Sequence, residues 1–253
     1  MPTQPDEIVV DTADPATIGP WWADLLGWEP QPDPDGDVLV VPPPGEPGLP
    51  ILFGRVPDPA AGTHQVHLDL RSRTADEQRE LVARAEAGGA RRIDVGQGDV
   101  PWVVLEDPDG TRFCVLEPRP EYAGAGSLAA VVCQSRRPSA AARFWAAATG
   151  WGVTSSEPGL ASVRAPGGRG PAIEFVAVRG LPAGKNRVHL DVRPLPGGSR
   201  DAEVARMRDL GARPVEIGQT AAPAGQVSWV VLADPDGAVF CVLSAPPGAP
   251  EQG

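Results

Sequence analysis

One unit occurs twice in this chain, and that duplication restricts its possible folds more than any other feature. Val66-His67-Leu68-Asp69-Leu70 returns as Val188-His189-Leu190-Asp191-Val192, and Gly89-Ala90-Arg91 as Gly211-Ala212-Arg213. Trp102-Val103-Val104-Leu105 returns as Trp229-Val230-Val231-Leu232, Asp107-Pro108-Asp109-Gly110 as Asp234-Pro235-Asp236-Gly237, and Phe113-Cys114-Val115-Leu116 as Phe240-Cys241-Val242-Leu243. The offset is 122 residues at His67/His189 (189 − 67) and 127 at Trp102/Trp229 (229 − 102). The second copy therefore carries five extra residues in Thr220–Ser228 (127 − 122), which places that loop at the surface, where insertions are tolerated. A repeat this long is a duplicated domain and not a solenoid array. The expected organisation is a first domain over 1–120, a linker over 121–126, a second domain over 127–246 and a loose tail over 247–253.

Within each half the pattern reads β-α-β-β, with one further strand expected, and then β-α-β-β-β. Glu7–Val10 is a short apolar run of strand type. Asp14-Pro15 is a helix start, with Gly19-Pro20 expected to delay or break it; Trp21, Trp22, Leu25 and Leu26 follow at helical spacing, and Gly27 closes the helix. Val38–Val41, Pro50–Val56 and Val66–Leu70 are further strands. Thr74 to Glu77 matches a capping box before a helix that ends at Gly88-Gly89. The Asp-Pro-Asp-Gly segments read as tight turns between strands, the Gly taking a backbone conformation closed to other residues, and not as metal carboxylates. The second half repeats the plan, giving four βαβββ modules paired two by two in an α+β fold.

Composition excludes several roles. The 253 residues carry 22 Lys+Arg against 33 Asp+Glu, a formal net charge of −11, with no basic cluster. Nucleic acid and anionic membrane are therefore not expected partners. No apolar run reaches the roughly 18 residues a membrane helix needs. Three cysteines (Cys114, Cys133 and Cys241), no CxxC and no signal peptide point to a reducing, cytoplasmic setting. Abundant Ala and Arg with little Lys fit a high-GC, bacterial genome.

Several side chains are candidates for chemistry. His67 and His189 are two of only three histidines and recur in one context. Each is read either as an acid–base group or ligand, or as a strand histidine satisfied by a hydrogen bond. Asp69 and Asp191 lie two residues on, hence on the same strand face, where a carboxylate orients an imidazole or contacts substrate. Trp102 and Trp229 open strands and are candidates for stacking against a ligand, the alternative being core packing. No phosphate loop, nucleophile elbow or HExxH motif is present.

The order of these motifs, with Trp21-Trp22-Ala23-Asp24-Leu25-Leu26-Gly27-Trp28 near the start and two Asp-Pro-Asp-Gly turns, resembles the vicinal oxygen chelate superfamily. That superfamily holds glyoxalase I, extradiol dioxygenases and bleomycin-resistance proteins, and the chain looks closest to its glyoxalase-like branch. The resemblance implies paired modules forming open half-barrel cups, and metal positions on the first and last strands of the modules. Carried over by motif, those positions give Glu7, His67 and Cys114 in one half and Glu174, His189 and Cys241 in the other. Leu52 and Ala130 occupy places where a ligand would otherwise stand. Cys stands where the family's metal enzymes keep Glu, so a cup without a cofactor is the expectation, one divalent metal (Zn, Fe, Mn or Ni) being the alternative. The implied function is a small-molecule enzyme: a glyoxalase-like lyase, isomerase or dioxygenase. The alternative is a protein that sequesters a drug or metabolite, as in antibiotic resistance. The partner is then a small organic molecule. The tandem halves imply either a monomer acting as a pseudo-dimer or a homodimer.

Overall fold

A computed structural model describes residues 3–59, 64–181, 186–216 and 229–245. The first module comprises β1 (Thr3–Thr12), α1 (Pro15–Leu26), β2 (Glu29–Pro32), β3 (Val38–Val41) and β4 (Ile51–Arg55). The second comprises β5 (Val66–Leu70), α2 (Ala75–Ala87), β6 (Arg91–Arg92), β7 (Val103–Glu106) and β8 (Arg112–Val115). The third comprises β9 (Leu128–Ser135), α3 (Pro138–Thr149), β10 (Gly152–Glu157), β11 (Leu160–Arg164) and β12 (Ala172–Ala177). The fourth comprises β13 (Val188–Pro194), α4 (Arg200–Asp209), β14 (Arg213–Pro214), β15 (Trp229–Ala233) and β16 (Val239–Leu243). The four βαβββ modules of the sequence are therefore present. The inserted loop Thr220–Ser228 and the tail from 247 lie outside the described residues, and no described helix is long and apolar enough to cross a membrane.

Local sequence accounts for most element ends. Gly27 and Gly150 close α1 and α3 in the left-handed region, at φ 71° and 74°. Thr74 Oγ1 accepts from Glu77 N at 3.0 Å, and Glu77 Oε2 accepts from Arg73 N at 2.6 Å, so the Glu reaches one residue further back than the capping-box pattern states. The expectation at Gly19-Pro20 is corrected: α1 runs through both. A side chain at Gly19 would place its Cβ 2.6 Å from Val38 Cγ1, so the glycine is what lets the helix lie against β3.

The strands form two eight-stranded mixed sheets, in the orders β14-β15-β16-β13-β1-β4-β3-β2 and β10-β11-β12-β9-β5-β8-β7-β6. The first joins modules one and four; the second joins modules two and three. Modules of the same half do not share a sheet. The seams are antiparallel: Glu7 stands opposite Asp191 and Val9 opposite His189 between β1 and β13, while Asp69 faces Ala130 and His67 faces Val132 between β5 and β9.

The two-residue period of the strands divides their side chains. Ile8, Val10, Val66, Leu68, Leu70, Phe113, Val115, Leu190, Val192, Phe240 and Val242 point to the common core beneath the helices. The alternating Glu7, His67, Asp69, Cys114, His189, Asp191 and Cys241 line the opposite, concave faces. The halves cohere through that core. Trp22 of module one stacks edge-on against Phe113 of module two, centroids 5.0 Å apart, and Trp145 of module three against Phe240 of module four, 5.2 Å apart. The indole N–H of Trp22 donates to Asp107 Oδ2 at 2.8 Å, and that of Trp145 to Asp234 Oδ2 at 3.1 Å. The other oxygen of each Asp accepts two backbone N–H groups of its own turn, so the Asp-Pro-Asp-Gly segments are structural turns that also anchor a helix.

Trp22→Phe keeps an aromatic ring but a smaller one, and leaves a buried carboxylate oxygen without its donor. We expect it to lower unfolding free energy by about 2 kcal/mol, with Trp145→Phe costing a similar amount. Chemical denaturation of the two variants measures this; wild-type stability in both would refute the anchoring role.

Candidate functional site

Each sheet curls around a cavity. The cup formed by modules two and three encloses about 410 Å³ and that formed by modules one and four about 350 Å³, both of the size of a small-molecule site. In the first, His67 and Asp69 project from β5, and Cys114 stands on β8 beside Asp69. His67 Nε2 lies 3.3 Å from Asp69 Oδ1. In the second, His189 and Asp191 project from β13, with Cys241 beside Asp191 on β16 and His189 Nε2 3.5 Å from Asp191 Oδ1. The repeated sequence thus builds two equivalent His–Asp–Cys clusters.

The glutamates are distributed differently from the sequence expectation. Glu7 lines the cup of His189 and Cys241, and Glu174 that of His67 and Cys114. The sets Glu7–His67–Cys114 and Glu174–His189–Cys241 are therefore corrected: β1 pairs with β13 and β9 with β5, so each glutamate comes from the other half of the chain. Strand register shows that Glu7 and Ala130 occupy equivalent places, as do Leu52 and Glu174. Each cup consequently has one glutamate, on a different strand. Trp102 lines the first cup and Trp229 the second.

The electrostatics of the two cups differ. Burial, with Asp6 adding and Arg193 opposing, pushes Glu7 up to about 7. Burial and the neighbouring Glu7 likewise push Asp191 up to about 7. Arg193, the nearby cation, is bound to Asp6 at 2.7 Å and to the Ser244 carbonyl at 2.7 Å. In the other cup Glu174 is raised by burial, opposed by the hydroxyl of Tyr122, which donates to its Oε1 at 2.9 Å. Burial and Asp69 raise the Cys114 thiol, so it is held as the neutral S–H. Burial and Arg112 lower His64 to about 4.

Sequence reasoning missed Tyr122, Arg112 and Arg119. Tyr122 sits in a short 3-10 turn, Pro120–Tyr122, inside the segment read as linker. It is the only tyrosine of the chain, which is the signal that could have singled it out. Arg119 lies over the Trp102 ring at 5.4 Å, fixing that indole in the cup wall.

The donor sets suit a metal. In each cup one nitrogen of His, one carboxylate oxygen and the Cys sulfur all lie within 4.8 Å of one another. Asp69 Oδ1 and Asp191 Oδ1 are buried and accept no hydrogen bond, leaving an oxygen free to ligate. Mixed N, O and S donors at three positions, with a fourth open to the cavity, fit a zinc-like ion. The fitting triads contain Asp, where the sequence reading placed Glu.

A glyoxalase-like domain model matches residues 7–116 and again 130–243. The chain belongs to the glyoxalase-like domain family. Among solved structures, glyoxalase I from Zea mays superposes with a TM-score of 0.65 at 14% identity, covering 96% of this chain and 92% of that one. A candidate dioxygenase from Bacillus subtilis subsp. subtilis str. 168 gives a TM-score of 0.60 at 15% identity, covering 98% and 87%. No curated protein matches the chain. At these identities the likeness establishes the tandem glyoxalase-like fold, and the reaction has to be argued from the site.

The shifted carboxyls give a stability signature. Glu7 and Asp191 bind protons more tightly when folded, so their contribution is complete below the ordinary carboxyl range near pH 4 and is lost as pH rises through about 7. Glu7→Gln, which mimics the protonated form, should match wild type at pH 4.5 and exceed it by about 1–2 kcal/mol at pH 8, allowing for solvent screening. Thermal unfolding at both pH values measures this; an equal difference at both would contradict it.

Proposed function

We propose that this glyoxalase-like protein is an enzyme acting on a small organic molecule held in its cups, of the lyase, isomerase or dioxygenase type. The observation that carries the reading is the convergence of His, Asp and Cys donors in the wall of a small-molecule-sized cavity, twice in one chain. His67, Asp69 and Cys114 would hold a divalent ion in one cup, and His189, Asp191 and Cys241 in the other. Such an ion would supply Lewis acidity toward a substrate oxygen.

The chain's own groups supply the rest. Asp69 Oδ1 and Asp191 Oδ1 lie within 3.5 Å of the imidazole Nε2 atoms, so each pair offers its oxygen and nitrogen together. Glu7, poised near neutrality, takes up or releases a proton at its carboxyl oxygen at working pH. Tyr122 holds the Glu174 carboxyl in place by its 2.9 Å hydrogen bond. Trp102 and Trp229 line the two cups and offer aromatic surface to a ligand. The three cysteines are buried and form no disulfide, which fits a reducing compartment.

A second reading, sequestration without turnover, is favoured by one observation: apolar side chains such as Val104, Val132 and Val176 make up much of the first cup's lining. Metal analysis and turnover separate the two. Protein purified without chelators and titrated with zinc should take up about one equivalent per cup, with His67→Ala and His189→Ala each losing one. Turnover of methylglyoxal–thiol adducts or catechols should fall by at least about tenfold in whichever variant disables the working cup. Metal uptake below about a tenth of an equivalent, unchanged by either substitution, would refute the metal site. Tight binding of a ligand with no turnover would establish sequestration.

A further inference from the structure

Arg112 is the outlier of the first cup. It stands on β8 two residues before Cys114, lines the 410 Å³ cavity, and its Nε is buried without a hydrogen-bond partner. Its cross-strand neighbour Glu106 is bonded to Arg91 instead. The other arginine on that wall is engaged: Arg119 donates to both oxygens of Glu117, at 2.7 and 3.2 Å. A guanidinium nitrogen buried at the edge of an apolar cavity without an acceptor leaves Arg112 able to take an anion from the cavity.

The carboxylates of the cup do not supply that anion. Asp69 lies beside Cys114, two positions further along the strands, and contacts His67. Glu174 lies three strands away, on β12, with its oxygen bonded to Tyr122. His64, which lies near Arg112, Glu106 and Arg187, is held neutral, and Gln97 and Gln134 elsewhere in the wall are uncharged. Apolar surface adjoins this polar end. Six large hydrophobic side chains are exposed among the described residues, and three of them, Val95, Leu160 and Val176, line this one cavity. Exposed apolar surface gathered in a concave site marks where a ligand is covered.

We propose that the first cup selects a small carboxylate with a ring-sized apolar body, the carboxylate binding Arg112 and the body lying between Trp102 and the Leu160–Val176 side. This rests on reading the cups as small-molecule sites and specifies the ligand class of one of them. The second cup does not share the selectivity. The place equivalent to Arg112 there is Val239, its cavity carries Glu7, Asp11 and Asp37, and the two arginines that line it are already held, Arg55 by the Ala13 carbonyl and Arg193 by Asp6 and the Ser244 carbonyl. A planar guanidinium pairs with a carboxylate in bidentate fashion, which a neutral amide of the same shape does not reproduce.

Calorimetric titration of the full chain with 2-naphthoate, 2-naphthamide and 2-naphthylmethylammonium tests the idea, with Trp102→Leu identifying the cup. Naphthoate should bind wild type about tenfold or more tighter than naphthamide, and the advantage should shrink in high salt. Arg112→Gln should erase the advantage while leaving naphthamide affinity within about twofold, which also shows that the variant folds; Arg112→Lys should restore part of it. Equal affinity for acid and amide, or a preference that survives Arg112→Gln, would overturn the carboxylate assignment and leave the cup as a binding site. If no probe binding responds to Trp102→Leu, the small-molecule reading of this cup fails, and the carboxylate assignment with it.

Discussion

The structure depends on two antiparallel seams, β1 with β13 and β5 with β9. Each seam joins a module of one half to a module of the other, and without them there would be four small sheets and no cups. The seams are strongly specified because a strand with one buried face cannot slip by a single residue without turning its apolar set outward. In β13, Val188, Leu190 and Val192 must face the core, which forces His189 and Asp191 onto the concave side opposite Val9 and Glu7. The same constraint on Val66, Leu68 and Leu70 sets His67 and Asp69 against Val132 and Ala130. The placement of the reactive groups therefore follows from packing on the other face of the same strands.

Two kinds of cohesion run in different directions. Core packing holds each half together, through Trp22 on Asp107 and Phe113 and through Trp145 on Asp234 and Phe240. Strand pairing holds each cup together and crosses between halves. Further cross-half bonds reinforce the crossing: Arg187 binds Asp109 of the first Asp-Pro-Asp-Gly turn, and Arg193 binds Asp6. A half is thus a packing unit and a cup is a pairing unit, and neither is complete alone.

This explains what the sequence revealed. The repeat, the βαβββ order, the turns and the inward–outward alternation are local properties, written in spacing and in Gly, Pro and Asp positions, and all were legible. Even the equivalences of Glu7 with Ala130 and Leu52 with Glu174 could be placed by counting. The partner of each module could not. A duplicated sequence looks the same whether β5 pairs with a strand of its own half or with β9, because backbone hydrogen bonds carry no residue label. A reading half by half therefore sets Glu7 beside His67 and Glu174 beside His189, whereas the sheets join them the other way round. Tyr122 escaped for a related reason: a Pro- and Gly-rich segment reads as a connector, and only the fold shows it carrying a hydroxyl to Glu174.

The two cups also show where a duplicated fold is free to change. On core faces the copies stay alike: Trp22 with Trp145, Phe113 with Phe240, Leu68 with Leu190. These side chains fill a dense interior, where a change of volume is costly. On concave faces the copies keep His, Asp and Cys but exchange their neighbours, Glu7 for Ala130, Leu52 for Glu174 and Arg112 for Val239. A concave wall faces a cavity, so a substitution there alters charge and shape without opening a void in the core. One cup has become carboxyl-rich with two groups near neutrality, and the other is more apolar, with Arg112 at its edge. Because each cup draws on both halves, a substitution in either half reaches only one cup through the strand it occupies. The crossed pairing therefore lets the two sites diverge in ligand while a single shared core keeps them in one fold.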